Sequence, residues 1–307
     1  MKKQNVSFFK RVQMLVGIGL VAFTMAACGT SREMTVSSGD RSATPGQLPK
    51  DVQALWEKRH VEADLKKAIE KIDQLVNDNP NSYEYLIIAS RAYYVMGDGH
   101  LFLKINEDNE AKIKEEQKVV YDKSIKYAEK AMTLNPAFRK RVVDGKEKFE
   151  DAIDALGKDY VDAIYWRYAA LARWSRLEGT GTLLQNKGKF TKMVKRIEAL
   201  EPNYFFGAVY RFYGGSETLS PTGNMAKGKE NFEKAIKIEN NFFGNHVLYA
   251  DVWASKKLDK NLFTKELNFA LNNKPEILGK PEWIPEQIIE QEKAKKFMKD
   301  IDSRNFD

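Results

Sequence analysis

Three histidines and one cysteine are the residues of this 307-residue chain best suited to metal, acid–base or nucleophilic chemistry. His60, His100 and His246 lie in three separated segments, and no two stand four apart on a helix, the spacing that aims a histidine pair at zinc. Gly97-Asp98-Gly99 and Gly179-Thr180-Gly181 are too short to cradle a phosphate and read as helix ends. With no nucleophile elbow either, the chain reads as a non-enzyme that uses no metal and no cofactor. Cys28 has another use. It follows Met25-Ala26-Ala27, a run that resembles the bacterial lipobox, where the thiol takes a diacylglycerol and the cysteine becomes the mature N-terminus. As the single cysteine it has no partner for a disulfide within the chain.

The residues before Cys28 fit that export reading. Lys2, Lys3, Lys10 and Arg11 precede a run from Met14 to Ala27 without a charge, shorter than the about 20 apolar residues a spanning helix needs. Residues 1–27 are therefore read as a signal peptide. Residues 28–49, polar and rich in Ser, Thr, Gly and Pro, are read as the lipidated cysteine and a flexible tether, and 50–307 as a helical domain. The formal charge of +7 falls to +3 once the four signal-peptide cations are removed, so nucleic acid is not an expected partner.

The elements that must position any site are helices. After Pro49 apolar residues recur three and four apart, and proline marks boundaries. Four segments share one spacing of offsets four, seven and twelve: Ala68, Ile72, Leu75, Pro80; Ser124, Ala128, Ala131, Pro136; Phe190, Val194, Ile197, Pro202; and Gly228, Phe232, Ala235, Asn240. Offsets of four and seven make one helical stripe, and the twelfth position falls in the turn that ends the helix. The pattern resembles the second helix and turn of the tetratricopeptide repeat. The expected fold is all-α, an array of about four degenerate repeats with insertions, closed around an apolar cavity or pore. One insertion is expected to form a helix over 143–156.

Two stretches carry the candidate site residues. In "YWRYAALARW", Tyr165, Trp166, Ala169, Ala170, Arg173 and Trp174 include a shared helical face with alanines between large rings, suited either to a tight helix crossing or to a cavity wall. A charge on that face, Arg173, must pair with an acid or read one. In "RFYGGSETLSPTGN", Arg211, Phe212, Gly214, Gly215 and Pro221 are read as a long inter-helix loop that contacts a partner or ligand. Arg211 is expected to meet a ligand carboxylate or a salt-bridge partner.

The order of these features resembles the T-component family of tripartite ATP-independent periplasmic (TRAP) transporters. The resemblance rests on Tyr165-Trp166, the proline and aromatics of Glu201 to Phe206, "YRFYGG" from Tyr210, Pro221, Tyr249-Ala250 and "DKNLFTKEL" from Asp259. Arg173 and Asn224 depart from the pattern. The resemblance implies a periplasmic lipoprotein, held to the membrane by the lipid on Cys28, that binds the solute-binding P-component. It also implies an apolar or organic-acid ligand and a homotrimer. The competing reading is an envelope scaffold that holds peptides in a repeat groove.

Overall fold

The computed structural model describes residues 32–43, 45–304 and 306; the signal segment and Cys28 lie outside the described residues. Among the described residues every regular element is helical, as the periodicity requires. The main helices are α1 Lys50–Trp56, α2 Glu62–Asp78, α3 Tyr83–Val95, α4 Glu110–Thr133, α5 Val161–Glu178, α6 Thr180–Leu200, α7 Tyr204–Leu219, α8 Met225–Ile238, α9 Phe243–Leu248, α10 Lys260–Asn272 and α11 Ile284–Lys299.

Each turn with the shared spacing joins two helices. In α2 the buried Leu65, Ala68, Ile72 and Val76 form one stripe, and the chain turns at Pro80 before α3. Phe190, Val194 and Ile197 do the same in α6, as do Gly228, Phe232 and Ala235 in α8. Side-chain caps start several of these helices: Ser82 accepts from the Tyr85 N–H, Asn135 from Phe138, Asn224 from Ala226 and Lys227, and Asp259 from Leu262.

The core has two parts. A large one is built by α1 to α7, and a smaller one by α8 to α11 around Phe232, Phe243 and Phe263. Helices α8 and α11 belong to both, giving Ala235 and Ile289 to the first and Phe232, Ala294 and Phe297 to the second.

Several expectations are corrected. Gly97-Asp98-Gly99 does not end a helix: α3 continues as a π-helical turn, Met96–Leu101, and then as α-helix to Lys104. The glycines serve close packing there, since a Cβ at Gly97 would meet the Tyr121 ring at 2.8 Å. Gly179 does end α5, with φ 114°. The insertion at 143–156 is no single helix; it is broken into the end of a π turn, Phe149–Ala152 and a short 3-10 turn, Ile153–Ala155.

Over its described part the tether is not free. The Thr35 N–H donates to Glu129 Oε2 at 2.9 Å, Ser37 N–H to Thr133 Oγ1 at 2.8 Å, and Gly46 N–H to Glu84 Oε2 at 3.0 Å. Arg32 pairs with Asp122 and Arg41 with Glu84, each at 2.7 Å. Polar composition predicts no core burial for this strap, but hydrogen bonds to side chains of α3 and α4 seat it instead.

Candidate functional site

Aromatic rings from α3, α5, α7 and the turn before α11 converge on Trp166. Its indole lies 5.4 Å from the Tyr94 ring, 4.9 Å from Tyr165 and 5.7 Å from Phe205, all tilted or edge-on, as ring quadrupoles prefer. Phe205 carries the contact on to Trp283 at 4.8 Å, and Tyr168 extends it to Phe212 at 5.3 Å. Trp166 is buried, whereas Tyr94, Tyr168, Phe205, Phe212 and Trp283 keep part of their surface exposed. The Arg91 guanidinium lies 3.8 Å from the Trp283 ring centre and 5.8 Å from that of Trp166.

The Phe205 ring is placed by an unusual backbone. Phe205, Phe206 and Gly207 all take left-handed dihedrals, with φ 42°, 57° and 84°. Two bulky residues there cost of order 1–3 kcal/mol each, so the surroundings must enforce the turn. Arg211 does so: its guanidinium donates to the Phe205 and Phe206 carbonyls at 2.8 Å each and to Asn245 Oδ1 at 2.6 Å. Asn245 Nδ2 in turn donates to the Phe206, Ala235 and Glu239 carbonyls.

Two ion clusters tie α11 to this nest. Glu286 accepts from Arg59 at 2.5 Å and from Arg91 at 2.6 Å. Burial pushes its carboxyl up, but the two guanidinium groups outweigh burial and hold it below the usual range. Asp98, on the π turn, accepts from Arg173 at 2.7 Å and from Lys293 at 2.6 Å. Here too burial acts upward and the two cations bring the carboxyl below its ordinary value. Asp98 in return raises Arg173, and together with Glu290 it raises Lys293 against the pull of burial.

A family model for the TRAP transporter T-component matches residues 59–304, from the arginine of the first ion cluster to the last described helical turn. The chain belongs to the TRAP transporter T-component family. No curated protein matches it. Membership implies an accessory role in TRAP transport and association with other components of such a system; the family is not an enzyme family. No described helix of this T-component is long and apolar enough to cross a membrane.

The T-component's predicted residues divide among several places. Tyr165, Trp166 and Arg173 reach the nest or its ion cluster, and Ala169 and Ala170 are buried. Trp174 sits elsewhere, 5.9 Å from the Arg32 guanidinium of the strap, where it lines a cleft of 350 Å³ with Met34, Phe149 and Arg167. The single face expected of "YWRYAALARW" is thus split.

"RFYGGSETLSPTGN" is mostly helix, since α7 runs to Leu219, and only its end is loop. Arg211 meets neither a carboxylate nor a salt-bridge partner among the described residues, because backbone carbonyls and Asn245 engage it. Gly214 abuts the Phe232 ring, Gly215 faces open space, and Pro221 is exposed. Arg91, Trp283 and Glu286 were not legible as site residues. Phe205-Phe206-Gly207 carried a weak signal, a glycine closing a bulky pair.

Proposed function

We propose that this T-component is a lipid-anchored periplasmic accessory that docks the solute-binding P-component and shelters an apolar ligand against the Trp166 nest. One observation carries the ligand class. Five rings of the nest keep exposed surface, while the guanidinium groups beside them are engaged: Arg91 by Glu286, Arg173 by Asp98, and Arg211 by carbonyls. Apolar surface is on offer, the three guanidinium groups are occupied, and the Lys280 ammonium, 5.5 Å from the Phe206 ring centre, is exposed to solvent, which favours an apolar ligand over an organic acid. The helical hairpins are read as degenerate tetratricopeptide repeats closed around the nest, in a homotrimer. Lipid on Cys28 would hold the body close to its membrane, since the four residues to Arg32 reach at most about 14 Å.

The ligand reading is tested by titrating the mature protein with a long-chain fatty alcohol and with a short dicarboxylate while following tryptophan fluorescence. The alcohol is expected to change the signal, and F205A/W283A to abolish that response. Response to the dicarboxylate alone would overturn the ligand class. Co-purification with a co-expressed P-component tests the docking. Radiolabelled palmitate incorporation that vanishes in C28A tests the anchor, and the solution mass of the delipidated chain tests the trimer.

A further inference from the structure

A second cleft, of 520 Å³, lies between α8 and α10 and shares no lining residue with the aromatic nest. At its floor is Tyr249, on the π-helical continuation of α9, Tyr249–Ala254. The side chain is 1 % exposed, and its hydroxyl makes no hydrogen bond of normal geometry with any described residue. Burial, then the charges of Glu233 and Glu266 and a hydrogen bond toward Glu233 outside normal geometry, push this phenol up, so it stays protonated and has a hydrogen to donate. A buried hydroxyl so weakly held gains when a better-placed acceptor reaches it.

The α10 wall supplies a matching set of groups. Leu262, Phe269 and the carboxamides of Asn268 and Asn272 line the cleft. The neighbouring Asn273 spends its amide on the Phe269 carbonyl at 2.8 Å, whereas the side chains of Asn268 and Asn272 hydrogen-bond to no described residue. These two stand one helical turn apart, about 5–6 Å between Cβ atoms. Two residues of an extended chain advance about 6.6 Å. A carboxamide offers a donor and an acceptor side by side, the complement of a peptide N–H and C=O. Laid along α10, an extended chain would present alternate peptide units to Asn268 and Asn272 and turn the side chain between them toward Tyr249.

The charges narrow the choice of that side chain. Glu266 is engaged by His246 Nδ1 at 2.6 Å and by Lys265 at 3.4 Å, and the exposed Glu233 by Lys229 at 3.8 Å, so an acidic side chain would have to compete with two carboxylates already in place. We propose that this cleft binds an extended, unstructured segment of a partner protein, gripped through its backbone by Asn268 and Asn272, with an uncharged side chain that carries a hydrogen-bond acceptor over Tyr249. The proposal goes beyond the transport reading and requires neither the lipid nor a ligand in the nest.

The test presents the full mature chain to a phage library of random dodecapeptides and titrates synthetic copies of the enriched sequences by fluorescence anisotropy. N268A/N272A changes only side chains on the helix surface and is expected to weaken binding about tenfold or more. Methylating the two peptide nitrogens that face the asparagines should abolish binding, while exchanging the side chains at those positions should change little. Y249F should weaken binding with its melting temperature unchanged or raised, an outcome that a merely structural hydroxyl would not give. Enrichment of no peptide that distinguishes the wild type from N268A/N272A, or equal affinity for both, would overturn the proposal.

Discussion

Asp98 is the carboxylate on which two cations from distant parts of the chain depend, so its loss is costlier than that of a surface partner. Removing one member of a buried pair leaves uncompensated charge, a cost of about 3–5 kcal/mol. Arg173 is 35 % exposed, so water screens part of it. D98N is therefore expected near the lower end, about 3 kcal/mol, and adding K293M should recover part of that loss by removing the cation left without its main partner. Urea unfolding of the single and double variants checks both values. Arg211 is judged by the same logic. R211M would take the Arg211 donor from the Phe205 carbonyl and from Asn245 Oδ1, while Asn245 still donates to the Phe206 carbonyl, and would destabilise by about 3 kcal/mol. R211K should fall between, because an ammonium lacks the planar fork that reaches both carbonyls; thermal melts give the order. His60 and His100 set the pH dependence. Burial lowers both below 6.5, aided at His60 by the charge of Arg59. The unfolded chain takes up protons that the folded one refuses, so this stability is present above about pH 6.5 and is lost as the pH falls from there through the lowered values of the folded state. Asp98 and Glu286, held low in the fold, add a separate loss below about pH 4. Urea midpoints from pH 8 to 3 should show both declines, and H100Q should flatten only the upper one.

At the scale of elements, the paired glycines of α7 make opposite predictions. A Cβ at Gly214 would meet the Phe232 ring at 2.8 Å, whereas one at Gly215 has nothing within 4 Å. G214A should destabilise by about 1–3 kcal/mol through overpacking. G215A should stabilise by up to about 1 kcal/mol through helix propensity, and melting temperatures moving in the same direction would refute the assignment. The sequence alone treated the two glycines as equals, because which one faces α8 depends on where the helix begins, and that is set by the left-handed Phe205–Gly207 turn. Turns were legible where proline or asparagine forbids or caps a helix, as at Pro80, Pro136 and Pro202. The π turns at Met96–Leu101 and Tyr249–Ala254 were not, since nothing local separates them from α-helix. They rotate Asp98 and Tyr249 to where the ion cluster and the second cleft use them. The need for a partner at Arg173 was legible from one helix face; its cluster was not, because Lys293 lies 195 positions from Asp98.

For the molecule as a whole, the strap decides how far the body stands from whatever holds its N-terminus. Composition gave the segment no reason to order, because it has little apolar surface to bury. Its order comes from backbone donors on Glu129, Thr133 and Glu84, and from Arg41 stacked 4.2 Å over Tyr83. Glu129 also accepts from the buried Arg167 at 3.0 Å, so the strap and α5 share one carboxylate. Gly46 is the place to undo this arrangement without touching a charge. A Cβ there would meet the Ser82 hydroxyl and the Tyr85 ring, the latter at 2.9 Å, so G46V must lift the chain. Local opening governs proteolysis when cleavage is slow, and each 1.4 kcal/mol lost raises the open population about tenfold. Trypsin under native conditions should therefore cut after Arg41 at least about tenfold faster in G46V than in the wild type, while sites within α4 stay protected in both. Equal rates after Arg41 would mean that the strap is not held in solution. The body would then hang on the free tether that the composition alone describes.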